Sequence, residues 1–137
     1  NRLEFYTKGY DIFNVDSILK QYEEEFLSEF EILDDDADTK TYDYPTQLKI
    51  DRFLEEVNTK LEETKNEENK KEIEEIQKDV IELKNTQTKL TKRVFIKRLS
   101  NIYAKMRKHS LSFAKYIFEL VVEKFADAIV KRLIKPE

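Results

Sequence analysis

From Thr46 to Lys135 the chain contains neither glycine nor proline. Sandwiches and barrels need turn residues at intervals of about 8–12 positions, so so long a stretch without them leaves helices as the available element. Glycine occurs once in the whole chain, at Gly9, and proline twice. The rest is rich in Glu, Lys, Leu and Ile, which favour helix. At 137 residues the chain is long enough for one domain with its own core. The expected fold is mainly all-α: a bundle of four to five helices, with a helical-hairpin or coiled-coil segment. A small N-terminal β-hairpin is the one exception considered, because Leu3–Phe13 is aromatic and turns at Lys8-Gly9. An irregular aromatic arm is the alternative there.

Three stretches make up this one domain. Residues 1–45 hold the aromatic arm, a first helix and an acidic loop. Residues 46–88 form an acidic amphipathic hairpin or coiled coil, and 89–137 a basic helix followed by an apolar one. In the first helix Val15, Ile18, Leu19, Tyr22, Phe26, Phe30 and Leu33 recur at three- and four-residue spacing. Asn14 or Asp16 is the expected cap, and Glu23, Glu24, Glu25 and Glu29 the solvent side.

Asp34–Tyr44 breaks that rhythm. Its carboxylates at 34, 36 and 38 resemble the opening of a calcium loop. Position 6 is then Thr39 where glycine belongs, and position 12 is Pro45 where glutamate belongs. A solvated acidic turn is expected instead.

After Pro45, Ile50, Phe53, Leu54, Val57 and Leu61 mark one amphipathic face. Ile73, Ile76, Val80, Leu83, Leu90 and Val94 mark another, as a heptad-like seam. Between them Thr64–Lys71 is fully polar. One unbroken helix over 46–108 would be roughly 95 Å long and need a partner to cover its seam. A turn at Asn66–Asn69 lets the chain cover its own stripes, and that hairpin is the expectation. A dimer of long helices is the rival.

Charge is unevenly distributed. Residues 1–88 carry 12 Lys/Arg and 25 Asp/Glu, whereas 89–137 carry 13 and 4. Lys89, Lys92, Arg93, Lys97, Arg98, Lys105, Arg107, Lys108 and Lys115 fall in a stretch without a single carboxylate. They are the candidate contacts to an anionic partner. Leu90, Val94, Phe95, Leu99, Ile102, Tyr103 and Met106 keep helical spacing between them. Ser110 is placed to cap a last helix over Leu111–Leu133 that is apolar around most of its circumference. It reads as the best-buried helix, and Phe113, Ile117, Leu120, Val121 and Phe125 join the seam residues as core or oligomer seam.

No catalytic pattern is visible. His109 lacks an orienting partner and nucleophile at recognisable spacing, and there is no phosphate loop, H-E-x-x-H or G-x-S-x-G. Glu119, Glu123 and Asp127 share a helical face, but a bundle metal site wants a Glu-x-x-His pair that the chain lacks. Their expected role is to answer the cations of the preceding helix. No enzyme, cofactor, metal or small-molecule substrate is therefore expected. Without cysteine the chain has no disulfide framework, which suits the cytoplasm. No signal peptide or transmembrane segment is expected. The expected function is a non-enzymatic interaction or assembly module that self-associates or binds a protein partner. Its apolar helix faces would give affinity, and its acidic and basic surfaces would choose the partner. The alternative is a nucleic-acid-binding accessory protein using the basic helix over 89–115. An anionic membrane surface is the third reading of the basic helix.

Overall fold

The structure is a computed structural model that describes residues 17–29 and 35–125. The Leu3–Phe13 stretch, the caps considered at Asn14 and Asp16, the hydrophobic positions Val15, Phe30 and Leu33, and everything after Phe125, Asp127 included, lie outside the described residues. So does the side chain of Phe125.

Five helices and no strand are found among the described residues. Helix α1 covers residues 17–29. Then come α2, Tyr44–Thr64; α3, Lys70–Thr86; α4, Lys92–His109; and α5, Leu111–Phe125. A short 3-10 turn, Gln87–Lys89, joins α3 to α4.

Each boundary has a local cause. The Asp43 side chain accepts from the Thr46 amide at 3.0 Å, and a proline fills the first turn of α2, where its missing N–H costs nothing. The turn to α3 is built by two asparagines instead of a glycine. Asn66 Oδ1 accepts from the amides of Glu68 and Asn69, at 2.8 and 2.9 Å. Asn69 Oδ1 accepts from the Asn66 amide at 2.7 Å, and its amide nitrogen donates to the Thr64 carbonyl at 3.0 Å. Side chains thus satisfy the backbone groups freed where α2 ends. The expected hairpin at Asn66–Asn69 is present.

The seam, however, does not run on to Val94. Leu90 is extended, and Thr91 caps a new helix by accepting from the Val94 amide at 3.3 Å. The break turns Val94 outward, where it is 40% exposed, and leaves Leu90 only half-buried. Ile73, Ile76, Val80 and Leu83 are buried within the chain itself. Ser110 ends α4 and starts α5: its amide donates to the Met106 carbonyl at 2.7 Å, and its hydroxyl accepts from the Phe113 amide at 3.2 Å.

Helices α2 to α5 close into a ring. Each packs on its sequence neighbour, and α5 returns to α2. The core holds Ile50, Phe53, Leu54, Val57 and Leu61 from α2 and the four seam residues from α3. Phe95, Ile96, Leu99, Ile102 and Met106 come from α4, and Phe113, Ile117, Leu120 and Val121 from α5. Full burial of each large apolar side chain stabilises the fold by about 1.5–3 kcal/mol. Polar pairs register α2 on α3 and on the 3-10 turn that follows it. Gln77 donates to Glu62 at 3.0 Å, Gln87 donates to the Gln47 carbonyl at 3.1 Å, and Lys84 lies 3.3 Å from Asp51.

Helix α4 buries eight residues, including Ser100, Tyr103 and Ala104 on the side away from the ring's centre. Among the described side chains of α5, five are buried. The basic helix is thus packed on two sides, by the ring on one and by α1 on the other.

Candidate interaction surface

Helix α4 was the stretch singled out by charge, and its cations meet carboxylates from three other parts of the chain. At its start stands the acidic loop, residues 35–42. Within the loop the Asp36 carbonyl accepts from the amides of Thr39 and Lys40. The carbonyls of Lys40 and Ala37 then accept from the amides of Lys92 and Arg93, at 2.9 and 3.0 Å. These are the first amides of α4, which have no partner within the helix. Asp36 meets the Lys92 ammonium at 2.9 Å, and Asp38 pairs with Arg93. Both carboxylates also face the positive end of the helix dipole. The Lys92 hydrogen bond holds the Asp36 carboxyl below its ordinary pKa, against a smaller opposing effect of burial. Ala37 and Tyr42 anchor the loop in the core, Tyr42 edge-on to Phe95 with the Lys92 ammonium 5.6 Å from its ring centre. The loop is an acidic turn with Asp35 and Asp38 exposed, as expected from sequence, and it is also a strap closing the start of α4.

Helix α1 lies along the outer side of α4. Glu25 accepts from the Tyr103 hydroxyl at 3.0 Å and from Arg107 Nε at 3.1 Å. The Arg107 guanidinium in turn sits 4.7 Å from the Tyr22 ring centre. Asn101 donates to Glu23 at 2.7 Å. Phe26, fully buried, lies 5.2 Å from the Tyr103 ring. Between these contacts, on the same stripe of α4 as Tyr103 and Arg107, lie Ser100 and Ala104, one helical turn apart and fully buried. Glu23 and Glu25, expected on the solvent side of α1, are its polar contacts instead.

The charges respond accordingly. Arg107 holds the Glu25 carboxyl below its ordinary range, burial opposes this, and the Tyr103 hydroxyl adds to the lowering. Burial, reinforced by the Glu25 hydrogen bond, pushes the Tyr103 phenol up to about 12. From α3, Asp79 pairs with Lys105, and Glu72 lies 2.9 Å from His109 Nδ1. His109 is therefore an interhelical contact. Glu119 and Glu123 of α5 are exposed, and the partners of the α4 cations come from α1, the loop and α3 instead.

Of the nine candidate cations, Lys92, Arg93, Lys105 and Arg107 are in ion pairs. Lys89, Lys97, Arg98, Lys108 and Lys115 are exposed and enter no ion pair among the described residues. They do not form one face. Lys97 and Arg98 share a half-open cleft of about 380 Å³ with Glu23, Asp79, Glu82 and Asn101. Lys108 lines a second cleft with Glu72 and Glu75, and Lys115 a third with Glu25, Glu29 and Glu119. Each of these four cations is thus interleaved with carboxylates.

Among the described residues, no group of three or more His, Asp or Glu side chains is arranged to hold a metal ion. None of the described helices is long and apolar enough to cross a membrane. No protein-family model, curated protein or solved structure matches the chain.

The sequence displayed the basic stretch but not its partners. The available signal was local: two aspartates at alternate positions, 36 and 38, against adjacent cations, 92 and 93. Nothing in helical periodicity joins residues more than fifty positions apart.

Proposed function

We propose that the chain is a non-enzymatic helical interaction and assembly module of the cytoplasm. It self-associates or binds a protein partner by laying helix on helix, with acidic and basic surfaces selecting the partner. One observation carries this reading: three separate acidic stretches, in α1, the loop and α3, meet the cations of a single helix. Sign-matched helix contact is how the chain recognises itself, and the same chemistry serves a second chain. Sedimentation across a range of concentrations tests it. The expected result is a mass above that of the 16.5 kDa monomer, either alone or with a helical partner. A monomer at every concentration, with no partner found, overturns it.

Exposure of Lys97, Arg98 and Lys108 favours the second reading, nucleic-acid binding. Carboxylates beside each cation weigh against it by repelling phosphate. Labelled DNA and RNA oligomers, titrated at about 50 and 200 mM salt, separate the two. A ligand touching six to ten phosphates loses affinity roughly 10³–10⁵-fold between those salts. Binding with such a slope, abolished by charge reversal at Lys97 and Arg98, would install the nucleic-acid reading in place of the first.

A further inference from the structure

Helices α2 to α5 complete a ring without α1. Tight capped connections hold that ring: the Asn66/Asn69 turn, the Thr91 cap and the Ser110 cap. Helix α1 sits outside it, on a seat formed by one face of α4. The seat has a defined chemistry. Ser100 and Ala104 form its floor, Tyr103 receives the Phe26 ring, and Asn101 and Arg107 receive Glu23 and Glu25 from either side. It takes an acidic amphipathic helix with one aromatic anchor. Every copy of the chain carries both the seat and a helix that fits it.

We propose that the chain self-associates by exchanging this helix, so that α1 of a second copy occupies the seat on α4. The proposal deepens the assembly reading above and rests on it. The same contacts form whether α1 comes from its own chain or from another, so exchange sacrifices none of the seat's hydrogen bonds or ring contacts. The balance is set by chain concentration and by the connection leading into the loop, as in other swapped assemblies. Charge gives direction: α1 carries Glu23, Glu24, Glu25 and Glu29 against Lys20, and the seat offers Arg107. A strongly basic helix would be rejected there.

The chain has no cysteine, which makes the test clean. One preparation carries Glu23→Cys, a second Asn101→Cys and a third both. The two single variants are mixed, incubated at high concentration and treated with a short bis-maleimide. Exchange is expected to give a linked species of twice the 16.5 kDa chain mass, in greater yield from the mixture than from either variant alone. A link that forms only within the doubly substituted chain, at monomer mass, overturns exchange. Sedimentation of the unmodified chain separates this failure from that of the wider reading. A dimer without the cross-chain link rejects exchange but keeps self-association, whereas a monomer without the link rejects exchange and self-association alike and leaves the wider reading to a protein partner alone.

Discussion

The ring of α2 to α5 and the N-terminal elements packed on it differ in what holds them. The ring is joined by burial: Ile50, Phe53, Ile73, Val80, Leu99, Ile117 and Val121 are all at most 1% exposed. Helix α1 and the acidic loop contribute three fully enclosed or nearly enclosed side chains among the described residues, Phe26, Ala37 and Tyr42. Leu27 adds half-buried packing against the core, and the rest of their contact is polar: hydrogen bonds and ion pairs, chiefly to α4, and the Tyr22–Arg107 ring contact. Burial is indifferent to sign and salt, whereas a half-exposed ion pair is screened and its net contribution is small. The two parts should therefore fail under different conditions, the ring to heat and denaturant and the arm first to acid and salt.

Substitutions that put a charge in the ring should have the largest effect. Val121→Asp places a carboxylate where no solvent reaches, at a cost of about 4–5 kcal/mol. Loss of the cooperative melt followed by circular dichroism is expected; an unchanged melting temperature would show that α5 is not part of the core. Phe26→Ala comes next, at about 3 kcal/mol of lost packing. Here the loss should be confined to α1: amide exchange accelerates across residues 17–29 while α2 and α3 stay protected. Equal acceleration in every helix would dissolve the distinction between ring and arm.

Acid sharpens the comparison. The pKa values of Glu25 and Asp36 are both lowered in the folded chain, chiefly by Arg107 and Lys92. A carboxylate with a lowered folded value contributes stability that is complete above its ordinary value and is lost as pH falls through the folded one. The ordinary values are 4.5 and 3.8. The arm should thus loosen as pH drops below about 4.5, with the ring persisting longer; exchange protection mapped helix by helix reads the order. At the other end, the raised Tyr103 phenol contributes stability that is present below the ordinary value of 10.0 and is lost as pH rises towards about 12. Burial also raises the Tyr116 phenol, so spectrophotometric titration should show late-ionising tyrosine, and Tyr103→Phe should remove its last step. The smallest effect belongs to Arg107→Ala, about 1 kcal/mol, because the pair with Glu25 is partly exposed.

What the sequence disclosed divides along the same line. Ring helices could be read from three- and four-residue spacing, and the hairpin turn from the polar interval around Asn66–Asn69, because periodic burial is written locally. The end of the seam was harder. Leu90 and Val94 keep the right spacing, but the Thr91 cap overrides the period and turns Val94 outward. The acidic strap could not be read, since Asp36 and Lys92 are paired only by the completed fold. The candidate site was visible as charge and invisible as geometry: the basic stretch was found, but its division into paired and exposed cations was not.

The central claim is that matched charge, added to the buried Phe26 anchor, seats α1 on α4. Charge exchange at one pair tests it most directly, with hydrogen exchange of the α1 amides as the readout. Glu25→Arg and Arg107→Glu should each strip protection from residues 17–29, by placing like charges together. The two combined restore opposite charges in reversed order, and protection should largely return. If the single variants leave α1 protected, or the double variant is no better than their sum, α1 is held by packing alone and the account is wrong.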